Sequence, residues 1–279
     1  MGKWNLVIDV ASCTNCQLCV LASKDEFVGN RFPGYAEEMP KHGAAWIDIK
    51  SKERGGGSMV DVAYLPVMCQ HCDDAPCIEQ AQNGAIKKRD DGIVLIDPEL
   101  AKGQKHLVDA CPYGAISWNE DKQVPQHWFF DAHLLDEGWT EPRAAQVCAT
   151  AAITATKTSD EQMRDRASEE NLQALDPSLN TRPRVWYKNL HRFHQCFIGG
   201  SVEIEDGGVV DCVKGATVVL YRDAGRVSET QTDVYGDFVF DRLYPDSGTY
   251  RVEVSLPGRE PRSVNATLGE STYLGEIRL

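Results

Sequence analysis

From residue 198 onward, apolar and polar positions alternate with period two. ATVVLYRD (216–223), RVSETQT (226–232), DFVFDRL (237–243), TYRVEVSL (249–256) and TYLGEIRL (272–279) alternate or run β-branched. That is the pattern of strands with one face turned inward. Turn signals stand between them: Asp223-Ala224-Gly225, Tyr235-Gly236-Asp237, Pro245-Asp246-Ser247-Gly248 and Pro257-Gly258. With SVEIED (201–206) as the first strand and PRSVNAT (261–267) as the sixth, the pattern predicts seven strands. Strands at this spacing make a small sandwich or barrel of roughly 80 residues.

The first half is patterned differently. NLVIDV (5–10) and GIVLID (92–97) read as short strands, the second bounded by Asp-Gly and Asp-Pro, and cysteine-rich loops separate such runs. SDEQMRDRASEENLQALD (159–176) is charged and rich in helix formers, with Ser159 and Gln162 placed as a helix start. It predicts a surface helix joining two domains. DPSLNTRPRVWYKNLHRFHQ (176–195) mixes Pro, Arg and aromatic residues and is expected to be a strap or interface segment, with His191 and His194 serving contact rather than ligation. The expected class is α+β, divided into an N-terminal domain (1–155), a helical linker and strap (156–197) and a β module (198–279).

Composition narrows the function. The 279 residues are 42% hydrophobic and 25% charged, with a net charge of −13. An acidic protein of this kind is unsuited to nucleic acid or an anionic membrane surface. There is no apolar run near the roughly 20 residues that span a bilayer. MGKWNLVIDV lacks the features of a signal peptide, so a cytoplasmic location is expected.

Ten cysteines are present, eight of them before residue 150. Gaps of two and four residues fit a secreted disulfide scaffold badly, but they let thiolates converge on one metal centre. Cys69, Cys72 and Cys77 form C-x₂-C-x₄-C, and Cys111 precedes Pro112. In two-cluster ferredoxins the cysteine before proline ligates the other motif's cluster. This groups Cys69, Cys72, Cys77 and Cys111 around one [4Fe–4S] cluster. Zinc is the competing occupant, but it prefers two separated pairs. His71, inside the loop, is expected to be partly exposed and to tune the cluster by hydrogen bonding at most. Cys13, Cys16 and Cys19 form C-x₂-C-x₂-C with Ser23 four residues on. No Ser–His–acid pattern or phosphate loop places catalysis on this chain. Cys196 and Cys212 are expected to be small buried residues, and Cys148 to be structural.

The order C-x₂-C-x₂-C, C-x₂-C-x₄-C, CPYGAI and DAHLLDEG resembles the iron–sulfur small subunits of the dimethyl sulfoxide reductase superfamily of molybdopterin enzymes. The finer likeness, carried by FPGY, DGIVLIDPE, CPYGAISWNE, AHLLD and RPRVWYKNLHRF, is to the small subunits of pyrogallol–phloroglucinol transhydroxylase and resorcinol hydroxylase. YGDFVFDRL…GTYRVEV resembles transthyretin-like or collagen-adhesin-B-like modules. The resemblance implies a ferredoxin-like double repeat and a large catalytic partner that carries the molybdopterin guanine dinucleotide. It leaves room for a higher oligomer of that heterodimer.

It also implies losses. Ala81, Ala101, Gln104 and Leu107 stand where the wider family has a distal cluster, and Ser23, Trp128, Asp131 and Cys148 where it has another, of which Cys148 alone keeps a thiol. The partner of the opening triad is expected near residue 152, an alanine. Cys13, Cys16 and Cys19 are then a three-thiolate site for a [3Fe–4S] or open [4Fe–4S] cluster, or an empty loop. Three functions follow: an iron–sulfur subunit of a complex that hydroxylates polyphenols or transfers hydroxyl groups on them, a general electron-transfer subunit, or a scaffold stapled by its clusters.

Overall fold

The structure is a computed structural model that describes residues 2–279; Met1 lies outside the described residues. Two compact units emerge: residues 1–50 with 64–190, and residues 51–63 with 191–279.

The first unit is organised by the strand Lys3–Asp9. Trp4 to Ile8 are all buried, Leu6 and Ile8 completely, so both faces of this strand are covered. This strand pairs antiparallel with Ile153–Thr158, Ile8 opposite Ile153. On its other side it pairs parallel with Val185–Lys188, Ile8 opposite Tyr187. Around this sheet run the helix Leu18–Phe27 and two short hairpins. One joins Ile86–Lys88 to Val94–Ile96, where the GIVLID strand was expected. The other joins Ser117–Asn119 to Val124–Gln126.

The helix expected from residue 159 is present as Asp160–Glu169. Its capping box is complete: Gln162 N–H donates to Ser159 Oγ at 3.2 Å, and Ser159 N–H donates to Gln162 Oε1 at 3.2 Å. It stops short of residue 176 because Asn171 takes a left-handed conformation, φ 54°. Met163 and Ala167 are buried against Val7 and Leu172, so the helix packs on the sheet of the first unit. The strap expected over 176–195 is likewise divided, its strand Val185–Lys188 completing that sheet.

The second unit holds two four-stranded sheets. In one, the long strand Cys196–Asp206 pairs with Val209–Cys212, Asp237–Leu243 and Thr272–Arg278. The other runs Gly225–Gln231, Thr217–Arg222, Gly248–Ser255 and Arg262–Leu268. Ile198, Val202, Val218, Leu220, Val252 and Val254 are fully buried in their shared core. The periodicity therefore located this half well but undercounted it. Val209–Cys212 was missed because all four of its residues are exposed, which leaves no inward stripe to read. Cys212, expected to be buried, is exposed with it. Leu220→Ala should lower the stability of this unit by about 2–5 kcal/mol without changing the iron content of the protein, as calorimetry and iron analysis would show.

Residues 51–63 form the tip of a hairpin built from Asp48–Gly56 and Met59–Val67. Arg54 is 3% exposed. Its guanidinium donates to Asp61 at 2.9 Å and Asp241 at 2.5 Å, and lies 5.1 Å from the Phe197 ring centroid. His191 Nε2 is 3.7 Å from the same Asp241. A Cβ at Gly199 would lie 2.3 Å from Met59 Sδ, so any larger residue there would have to displace the Met59 side chain. Among the described residues, no helix is long and apolar enough to cross a membrane.

Candidate metal centres

The loop after Met59–Val67 carries Cys69, Cys72 and Cys77, and Cys111 follows a 3₁₀ turn at Lys105–Leu107. All four thiols line one cavity, with Val94, Ile96, Ile116 and Tyr113 in its wall. Lys88 holds the loop in place. Its ammonium donates to the carbonyls of His71 and Cys72, each at 2.9 Å, and pairs with Asp73 at 2.9 Å. The segment before Val185–Lys188 lies along the same loop: Asp73 N–H donates to Arg182 O, Asp74 N–H to Thr181 O, and Arg184 N–H to Gln70 O.

The donor chemistry fits a cluster. Burial pushes the Cys69 thiol well above its ordinary range, and Cys111 and Cys77 beside it add to the shift. Burial, again ahead of neighbouring thiols, raises Cys77 to about 12. Thiols so reluctant to ionise become thiolates only when a strong positive charge binds among them, as a metal does. Backbone donors are already aimed at the sulfurs. His71 N–H donates to Cys69 Sγ at 3.5 Å, and Ala115 N–H to Cys111 Sγ at 3.4 Å. Such bonds stabilise cluster-bound thiolates and tune their potential.

The opening motif has a further thiol, Cys148, in its neighbourhood. Burial raises Cys19 to about 11, with Cys13, Cys148 and Cys16 adding to the shift. Burial also raises Cys13, with Cys148 and Cys16 again contributing. Cys148, expected to be structural, thus stands near enough to act on both Cys13 and Cys19. The reason is strand pairing. Because Ile8 lies opposite Ile153, the loop leaving the first strand meets the turn entering its antiparallel neighbour. Asp9 N–H donates to Ala152 O at 2.8 Å, so residue 152, the expected partner position, serves the backbone. The thiol sits four residues earlier. Arg143 then fixes the short helix Arg143–Gln146 against Leu18–Phe27 by pairing with Asp25 at 2.7 Å and Glu26 at 2.5 Å. Ile153 N–H donates to Cys148 Sγ at 3.4 Å, the counterpart of the Ala115 bond to Cys111.

The positions expected to have lost further clusters are filled by side chains. Ala101 and Leu107 are fully buried in an apolar cluster with Ile86, Val94 and Ile96. The Gln104 amide accepts from Gln82 N–H at 2.9 Å and donates to Leu100 O at 2.8 Å. At the other position Trp128 is fully buried and Asp131 2% exposed. Asp131 accepts from Trp128 Nε1–H at 3.2 Å and from Arg143 N–H at 2.8 Å, and burial raises its carboxyl to about 6. Ser23 is buried beside the same helix face as Phe27.

His71 departs from expectation. It is 1% exposed, with Trp128 and Phe130 against its ring. Its Nδ1 accepts from Val94 N–H at 3.1 Å and lies 3.9 Å from Cys69 Sγ. Accepting at Nδ1 makes the neutral ring an Nε2–H tautomer. Burial pushes its pKa well below the ordinary value, with His127 adding to the shift.

Comparison with known proteins agrees with both halves of the sequence. Residues 60–158 match a 4Fe-4S dicluster domain, and residues 198–279 a carboxypeptidase regulatory-like domain. The pyrogallol hydroxytransferase small subunit of Pelobacter acidigallici is 40% identical over 282 aligned positions, covering 100% of both proteins. The arsenate respiratory reductase iron–sulfur subunit of a Shewanella species is 31% identical, covering 50% of this chain and 55% of its own. A tetrathionate reductase subunit of Salmonella typhimurium is 28% identical, covering 67% and 73%. Among solved structures, 5-hydroxyisourate hydrolase of Klebsiella pneumoniae aligns with 30% of this chain and 90% of its own, at 17% identity and a TM-score of 0.25.

Proposed function

The protein belongs to the family of iron–sulfur small subunits that includes the pyrogallol hydroxytransferase small subunit of Pelobacter acidigallici, and from that membership we propose how its two thiol sets are used. It is the iron–sulfur subunit of a heteromeric molybdopterin enzyme and works with a large catalytic subunit. The polyphenol chemistry, hydroxylation or hydroxyl transfer, takes place on that partner, which holds the molybdopterin guanine dinucleotide. Cys69, Cys72, Cys77 and Cys111 hold one [4Fe–4S] cluster; Cys13, Cys16, Cys19 and Cys148 hold a second. The two sets are the two halves of a ferredoxin-like double repeat, and we place the complex in the cytoplasm.

The observation that supports this reading most is the cavity lined by Cys69, Cys72, Cys77 and Cys111; the influence of Cys148 on Cys13 and Cys19 supports the second set, and Ala101, Leu107 and Trp128 pack the positions of any further cluster. Bound clusters supply one-electron redox chemistry. The protein supplies the rest. Apolar walls exclude water, N–H groups from His71, Ala115 and Ile153 steady the sulfurs, and Lys88 with Arg184 locks the carboxylate-bearing loop. Iron and acid-labile sulfide analysis of the anaerobically purified complex, with electron paramagnetic resonance, is expected to give about eight irons per chain and two reduced-state signals. About four irons would overturn the second set.

A further inference from the structure

We propose that Trp128 and Asp131 form the bridge by which electrons pass between the two thiol sets. The proposal rests on the ligand sets above. It concerns the protein between them.

The indole of Trp128 is fully buried and meets the ring of His71, centroids 5.9 Å apart. His71 is tied to the Cys69 set at two points. Its Nδ1 is 3.9 Å from Cys69 Sγ, and its N–H donates to that sulfur at 3.5 Å. On the far side the indole N–H donates to Asp131 Oδ1 at 3.2 Å, and Asp131 Oδ2 accepts from Arg143 N–H at 2.8 Å. Arg143 O accepts from Val147 N–H at 3.0 Å, and Val147 is bonded to Cys148. Every step is therefore a covalent bond, a hydrogen bond or a contact between packed groups. Electron tunnelling decays far more slowly through bonded and hydrogen-bonded atoms than across open gaps. The phenylalanine rings nearby offer no such connection. Phe27, Phe129 and Phe130 pack around the same region, but they have no polar atom with which to join the segment that leads to Cys148. Asp131 is an unusual residue for so apolar a place, since burying a carboxylate is costly. Both of its oxygens are used, and both serve this link.

The step is simple to balance. One electron leaves the reduced site and one arrives at the oxidised site. No bond forms or breaks and no proton moves. The indole is the medium and is never oxidised.

The test uses the anaerobic holo-complex. A pulse of photoreductant delivers less than one electron per chain, and rapid-freeze paramagnetic resonance follows its redistribution between the two reduced-state signals. Trp128→Phe keeps an aromatic ring but removes the N–H donor. Asp131→Asn is nearly isosteric and breaks one of the two hydrogen bonds. Both variants are expected to slow redistribution at least severalfold, with iron content, g-values and midpoint potentials unchanged. Redistribution at the wild-type rate in either variant with both clusters intact would overturn the bridge. So would altered potentials or g-values that account for the whole rate change, because that is the mark of a merely structural role. A wild-type iron content well below eight per chain would overturn the ligand sets themselves, and the bridge with them.

Discussion

Cys148→Ala is expected to convert the opening centre from a complete to an incomplete site. Iron should fall from about eight to about seven per chain, with an oxidised-state signal of a three-iron cluster, or to about four if the site empties. The expectation follows from electrostatic proximity and strand register together. Cys148 acts on both Cys13 and Cys19, and its sulfur accepts from Ile153 N–H at 3.4 Å. Cys212→Ala is the control, because that thiol is exposed in the second unit and its loss should leave the iron unchanged. If Cys148→Ala retained eight irons and the wild-type spectrum, Cys148 would return to being an ordinary loop residue.

Stripping the iron should have a larger effect, and an uneven one. Oxidation in the presence of a chelator is expected to unfold the first unit and spare the second. Metal binding to a site that exists only in the folded protein contributes directly to folding, on the order of 10 kcal/mol for a structural metal. That is comparable to the whole stability of a domain, about 5–15 kcal/mol. The cavity among Cys69, Cys72, Cys77 and Cys111 would be left with four thiols that no longer share a bound group. The second unit has its own core of Val218, Leu220, Phe238 and Val252, which includes none of the proposed ligands. Calorimetry should therefore lose the transition of the first unit and keep that of the second within a few degrees. Loss of both together would show that the two units fold as one.

How much of this could be read beforehand depended on the range of the contact. Ser159 and Gln162 announced their helix start because the capping box lies within three residues. The cysteines at 69, 72, 77 and 111 were grouped through a spacing rule that holds across ferredoxins, and the structure lines one cavity with them. Cys148 obeys no local rule. Its approach to Cys13 is set by the pairing of two strands far apart in the sequence, and position matching placed the partner at Ala152 instead. His71 looked like a loop residue because it is one. Its burial comes from Trp128 and Phe130, whose arrival a loop sequence does not encode. The hairpin over 48–67 was passed over for a similar reason. Its first strand, Asp48–Gly56, buries only Arg54, a charged residue, and so carries no hydrophobic stripe.

That hairpin also sets the order in which the protein can be made. Domains tend to fold in turn as they leave the ribosome, at about 5–20 residues per second. Here Arg54 emerges long before Asp241 and Phe197, the groups that surround it. Arg54 has only Asp61, in the same hairpin, until most of the polypeptide has been synthesised. During that interval the cysteines on either side of it, at 13–19 and 69–77, are already available for iron delivery. The second unit closes last, and only a completed polypeptide can seat the hairpin tip.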